Sequence, residues 1–292
     1  MCETLVSQRQ KNSPIEKRDI IASIIESLAS GALTEAQLLR YFVDNATLLR
    51  NNIHQAKVKY GKDSIEEIVN IHFPQYLANK SAILSNLERF ETARNQVDKK
   101  IREAFENEIP NVILVPCIGL FAPGGWADNI DGTYHIFVAL ERLPENFAIE
   151  VLLAHEIAHG ISEIDRSTVL GGFYNEGFAT YISSVLYPGQ PEEAYFFSMD
   201  RALYEKYLEW IDKHRDKIWE DSGKPFEVLD DTHKFYFTTS FSDYPNIGYV
   251  IGFKYLEHLN NSYTLKDLRT FGLKDAEHRG TFKAFIFNAP LD

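Results

Sequence analysis

Phe147-Ala-Ile-Glu-Val-Leu-Leu-Ala-His-Glu-Ile-Ala-His-Gly160 is the stretch on which the reading of this chain turns. Apolar residues recur at helical spacing through Phe147, Val151, Ala154 and Ala158, Pro144 and Glu145 suit a first turn, and Gly160 suits a stop. Residues four apart on a helix share a face. His155 and His159 can therefore present two imidazoles to one metal ion, with Glu156 beside them to take a proton from an activated water. The bland alternative is a pair of ordinary hydrogen-bonded histidines; the helical setting of the HExxH string argues against it.

A catalytic zinc takes three protein ligands and keeps one position open. The next stretch, Gly171-Gly-Phe-Tyr-Asn-Glu-Gly-Phe-Ala-Thr-Tyr-Ile-Ser-Ser-Val-Leu186, reads as a second helix with Glu176 near its start. A loop through Asp165, Arg166 and Ser167 is long enough for an antiparallel return to the histidines. Most glutamates are solvated surface residues. Glu176 is flanked instead by Phe173, Tyr174, Phe178, Ala179, Tyr181 and Ile182, where an unpartnered carboxylate would be costly. It is the expected third ligand.

HEIAH followed by NEGFATY resembles the gluzincin group of zinc metallopeptidases, in which the histidines of HExxH and a glutamate from a following helix hold the metal. The segment Gly124 to Leu140 before the motif and Ile247-Gly-Tyr-Val-Ile-Gly-Phe253 after it are similar to a bacterial family of predicted zinc-dependent proteases. The resemblance covers roughly residues 110 to 260; its most specific part is HExxH with EGxAxY, whereas G-Y-x-x-G is a weak match. It implies a zincin-like catalytic domain with a strand before the zinc helix, Zn2+ as cofactor, and a peptide or protein as substrate. One departure stands out. Four residues after its glutamate the thermolysin-type pattern has an aspartate that orients a histidine ligand, and here Thr180 occupies that place, leaving Asn175, Thr180 and Asp165 as candidates to hold the histidine N–H groups.

The strand before the motif acquires a role through the same resemblance. An extended peptide can add to an exposed sheet edge, and Gly124, Gly125 and Trp126 would then border the substrate cleft; a plain hairpin with a buried Trp is the alternative. Asp128 and Asp131 are the only carboxylates there that could bind a substrate α-amine, and His135 reads as structural. For the oxyanion that forms during acyl transfer the expected donor is Tyr249, in the G-Y-x-x-G stretch, with His233, Tyr236 and Tyr244 as alternatives.

Composition narrows the partners. A net charge of −12 argues against nucleic acid or an anionic membrane surface. With 45% hydrophobic and 13% aromatic residues, the 292-residue chain can bury a sizeable core. No run approaches the ~18 apolar residues of a membrane span. Cys2 and Cys117 make no disulfide framework, and the N-terminus lacks the apolar core of a signal peptide, so cytoplasm is the default, although Cys2 after the initiator would also suit the scar of a removed lipoprotein signal.

The spacing predicts helices over 14–30, 34–55, 64–77 and 80–108, punctuated by Gly31, Gly61 and Pro74, as a helical N-terminal region (1–109) that forms one wall of a cleft. After Asn111 the pattern changes to short β-rich runs at 112–121 and 134–140 around a Gly-rich turn at Pro123 to Gly125, opening an expected catalytic domain over 110–292. Pro191 to Ser222, with Tyr195, Phe196, Phe197, Leu203, Tyr207, Trp210 and Ile211, reads as one or two amphipathic helices whose aromatics are core. The expected fold is α+β and mainly helical, with a small sheet ahead of the HExxH helix. Two other function classes remain open: a zinc hydrolase of a non-peptide substrate, and a binding or regulatory protein on a zincin fold. The retained Glu156 favours an enzyme, since a structural zinc needs no base.

Overall fold

The computed structural model describes residues 16–106, 109–122, 124–190, 192–196, 199–227, 230–238 and 244–291. Cys2, Pro123, Pro191 and Phe197, named above, and the outer ends of the expected helices over 14–30 and 80–108 lie outside them. The chain divides into two compact units, Met1–Asp98 with Pro110–Glu150, and Lys99–Ile109 with Val151–Asp292.

The first unit begins with the short strand β1 (Glu16–Lys17), then α1 (Ala22–Ser30), α2 (Glu35–Asp44), α3 (Arg50–Tyr60), α4 (Ile65–Ala78) and most of α5 (Lys80–Ala104). Three departures from the sequence expectation occur here. Residues 16–17 are strand rather than helix, because they pair with the apolar strand β2 (Val112–Cys117). The single helix expected over 34–55 breaks into α2 and α3, since Asn45 turns its own amide and side chain back onto the Tyr41 carbonyl and closes α2. Pro74 lies inside α4 and ends nothing: burial of its neighbours His72 and Tyr76 outweighs the hydrogen bond that a proline forfeits.

β2 runs parallel to β4 (Thr133–Ala139), which pairs antiparallel with β3 (Gly125–Ile130), giving one mixed sheet of order β1-β2-β4-β3. The β3–β4 turn is Asp131-Gly132, both at positive φ (52° and 80°), the two-residue turn that matches strand twist. The expected boundary at 109/110 groups these strands with the metal helix, whereas the compact units group them with the N-terminal helices. The reason is a set of cross-links. Tyr76 donates to the Gly119 carbonyl, the Ile118 amide donates to the Tyr41 hydroxyl, and the Leu120 amide donates to Asn52 Oδ1, all just after β2.

In the second unit α6 (Ile149–Ile161) is followed by α7 (Val169–Leu186), α8 (Glu192–Tyr195), α9 (Arg201–Lys213), α10 (Arg215–Ser222), α11 (Asp231–Phe237), α12 (Ile247–Asn260), α13 (Leu265–Phe271) and α14 (Asp275–Asn288). α6 starts later than Pro144 suggested. Residues before it are tied down as a loop, with Asn86 donating to the carbonyls of Leu140 and Leu143, and Arg89 to those of Pro144 and Phe147. α7 is buried along nearly its whole length and packs against α12 at a glycine contact. A Cβ on Gly177 would run into the Gly252 backbone, and one on Gly252 into the Phe173 carbonyl, so only glycine permits this approach. Tyr207, Trp210 and Ile211 on α9 are core residues, as expected, whereas Leu203 is half-buried and its neighbour Tyr204 takes the core position instead. Among the described residues no helix is long and apolar enough to cross a membrane.

Candidate metal centre

The HExxH helix is α6, and its two histidines project from one face as the four-residue spacing requires. Their Nε2 atoms lie 3.2 Å apart, with the rings nearly perpendicular. α7 starts at Thr168, whose hydroxyl accepts the Gly171 amide and caps the first turn. Two turns on, Glu176 points Oε2 at His159 Nε2 (3.4 Å) and His155 Nε2 (3.7 Å). These three side chains form a buried or half-buried group able to hold a metal ion.

The fit can be checked on the distances. Ligand atoms at 2.0–2.2 Å from a tetrahedral ion stand roughly 3.3–3.6 Å from one another. The three observed separations of 3.2, 3.4 and 3.7 Å bracket that edge length. Glu176 Oε2 is also enclosed and makes no hydrogen bond, which is costly for a carboxylate unless a cation faces it. The donor set of two imidazole nitrogens and one carboxylate oxygen suits a borderline metal.

Of the three residues considered for orienting the histidines, the structure brings one to them. Asn175 Oδ1 lies 3.2 Å from His159 Nδ1, placing the ring proton there and leaving Nε2 as the ligand atom, while Asn175 Nδ2 donates to Glu176 Oε1 at 3.1 Å. Thr180 is fully buried, and its Oγ1 has no hydrogen-bond partner. Asp165 instead accepts from the amide and hydroxyl of Ser167 in the α6–α7 loop.

Electrostatics separate the roles. Burial pushes the His155 pKa down to about 4, against the opposing pull of Glu176, so that imidazole is neutral at physiological pH. Burial pushes Glu156 up to about 7, with the His159 charge opposing and the Glu176 charge adding. Burial also opposes ionisation of Glu176, but its contacts with His159 and His155 prevail and hold the carboxyl well below its usual range.

Tyr249, on the first turn of α12, stands at this group: its ring lies parallel to that of His155, centroids 6.0 Å apart. Burial and then the Glu176 and Glu156 charges raise its hydroxyl pKa well above the ordinary value, so it is a proton-bearing donor. Tyr236 is engaged elsewhere, donating to Asp221 Oδ2 at 2.9 Å. Tyr244 packs against Tyr207 and Trp210. His233 packs against Phe226 and Phe237, and burial lowers its pKa.

Gly124, Gly125 and Trp126 belong to the first unit, where Gly124 leads into β3, one of the two terminal strands of the sheet. The Trp126 ring is 7% exposed and lies flat on Phe137, so its own contribution is to the hairpin core. Asp128 is gripped by Arg50 through two hydrogen bonds (2.8 and 3.1 Å) and by Asn51, which leaves it committed within that unit. His135 is buried on β4 with Nδ1 at the Thr133 carbonyl, a structural position.

Arg166 was not anticipated. It donates to the His159 carbonyl at 3.2 Å, alongside Ser162 Oγ, where α6 ends and the Glu163 amide turns away to Arg269. A cation just past a helix end is the available signal for such a contact. Comparison of the chain with protein-family models, curated proteins and solved structures finds no match.

Proposed function

We propose that the chain is a zinc-dependent peptidase of gluzincin type, with a zincin-like catalytic unit acting on peptides or proteins. The observation that carries the reading is the convergence of His155, His159 and Glu176 from α6 and α7 on one group able to hold a metal ion, with the buried Glu156 carboxyl next in the chain to His155 and feeling the His159 and Glu176 charges. A zinc ion held by those three side chains supplies Lewis acidity, which lowers the pKa of a water and polarises a carbonyl.

The chain's own residues do the rest. Glu156, a buried carboxylate next to His155, would accept the proton of the attacking water and hand it to the leaving amine. Tyr249 keeps its proton and offers it as a hydrogen bond to the oxyanion of the tetrahedral intermediate. Asn175 fixes the His159 ring and the Glu176 carboxylate with one amide.

The reading is tested by digesting a peptide library with the purified protein and reading the products by mass spectrometry, with and without a chelator. Chelator-sensitive internal cleavages support it. Removal of single terminal residues would instead indicate an exopeptidase, and an untouched library that still leaves a hydrolysed ester or amide control would point to a non-peptide substrate.

A further inference from the structure

α7 and α12 continue beyond the candidate ligands and, with α9 and the end of the α8 segment, line a half-open cavity of about 290 Å³. Ser184 on its wall lies two turns past Glu176, and Phe253 lies one turn past Tyr249. At ~1.5 Å rise per residue the cavity therefore opens roughly 6–12 Å along the helix pair from the metal-binding group. Residues i, i+4 and i+8 fall on one stripe of a helix, so the cavity shares the helix faces that carry Glu176 and Tyr249. An extended peptide advances ~3.3 Å per residue. A side chain two to four residues from a carbonyl at the metal group would reach this opening.

The lining decides what fits. Phe196 and Tyr204 are buried; the Phe196 ring meets Phe253 edge-on at 5.4 Å and lies tilted by 31° against Tyr204 at 5.2 Å. The carboxylates on the wall already have cations: Glu192 pairs with Arg201 and Glu257 with Lys254, each at 2.8 Å. A charged side chain would thus have to break an existing pair, whereas an aromatic ring extends the edge-to-face cluster already present. The volume is ample, since a dry cavity of about 150 Å³ holds a benzene ring.

We propose that this cavity is a subsite for an uncharged aromatic side chain of the peptide substrate, a proposal that rests on the peptidase reading above. It makes the preference for an aromatic residue a property of α9 and α12 rather than of the metal ligands.

Binding, separated from turnover, tests it. Metal-loaded Glu156→Gln protein is titrated calorimetrically with blocked hexa-alanine peptides in which a single Phe, Lys or Glu is moved along the chain. Phe at one position should tighten binding at least about tenfold over the all-alanine peptide, the scale expected for burying one aromatic side chain, while Lys and Glu give no such gain. Leu208→Trp, which fills the cavity from its half-buried wall, and Phe253→Ala, which removes one ring, should each abolish the Phe advantage and leave zinc affinity unchanged. No favoured Phe position, or a Phe advantage that survives both variants, overturns the subsite. Cleavage of the same peptides by the parent protein reports separately: a Phe preference without any cleavage keeps the subsite and removes the peptidase reading.

Discussion

Asn175 stands between two of the candidate ligands and touches both, so removing its amide should loosen each at once. Asn175→Ala is expected to weaken zinc binding about 10- to 100-fold in chelator competition, the usual cost of losing a group that orients a ligand, with little change in melting temperature. Unchanged affinity would make the contact to His159 incidental. Tyr249→Phe deletes only the hydroxyl beside His155. It should keep the metal and cut kcat by roughly 10²–10³ with KM little altered; a near-parental kcat, with a large fall in His233→Ala, would transfer the donor role to the histidine. At this scale the sequence was informative where chemistry dictates spacing. The HExxH pair follows from helical periodicity, and Glu176 from the cost of a carboxylate among aromatics. The bridging amide of Asn175 and the reach of Arg166 to the His159 carbonyl depend on how α6 and α7 face each other, which no local pattern encodes.

At the scale of elements, the glycine contact between α7 and α12 sets the separation of the helices that carry Glu176 and Tyr249. Gly252→Ala places a methyl against the Phe173 carbonyl and the Gly177 backbone. The cost of such overpacking is ~1–3 kcal/mol or more, and the thermal midpoint should fall by several degrees; an undiminished midpoint would mean the helices part without penalty. Asp221 at the end of α10 is a second fastening. Burial would raise its pKa, but hydrogen bonds from Lys217 and Lys224 (2.6 Å each) and from Tyr236 hold the carboxyl below its ordinary value. A depressed carboxylate stabilises the fold above its unfolded pKa of about 3.9 and loses that contribution as pH falls through the folded value. Asp221→Asn should therefore be less stable than the parent at pH 7 by about 1–3 kcal/mol in urea unfolding, and the gap should close as pH drops below about 4. A gap that persists in acid would assign it to packing. Element boundaries were legible where a cap is strong, as at Gly31, which closes α1 in the left-handed conformation, and illegible where side chains from afar decide. The late start of α6 is made by Asn86 and Arg89, and β1 exists only because β2 is there to pair with it.

Across the whole molecule, the α+β character and the change of pattern near residue 110 were readable from periodicity, but the grouping of the strands was not. Tyr41, Asn52 and Tyr76 bind the loop after β2 through hydrogen bonds spanning many residues in sequence, and a boundary drawn from composition alone has no access to them. The central claim is that a metal ion held at His155, His159 and Glu176 makes this chain a hydrolase whose base is Glu156. It is tested most directly by stripping the protein with a chelator and adding zinc back stepwise while following cleavage of a responsive peptide. Cleavage should be absent at first, rise in proportion to zinc and level off at one equivalent per chain; Glu156→Gln should bind the same single equivalent and stay silent, and Glu176→Ala should lose the high-affinity equivalent. Parental cleavage by the stripped protein or by Glu156→Gln would contradict the account.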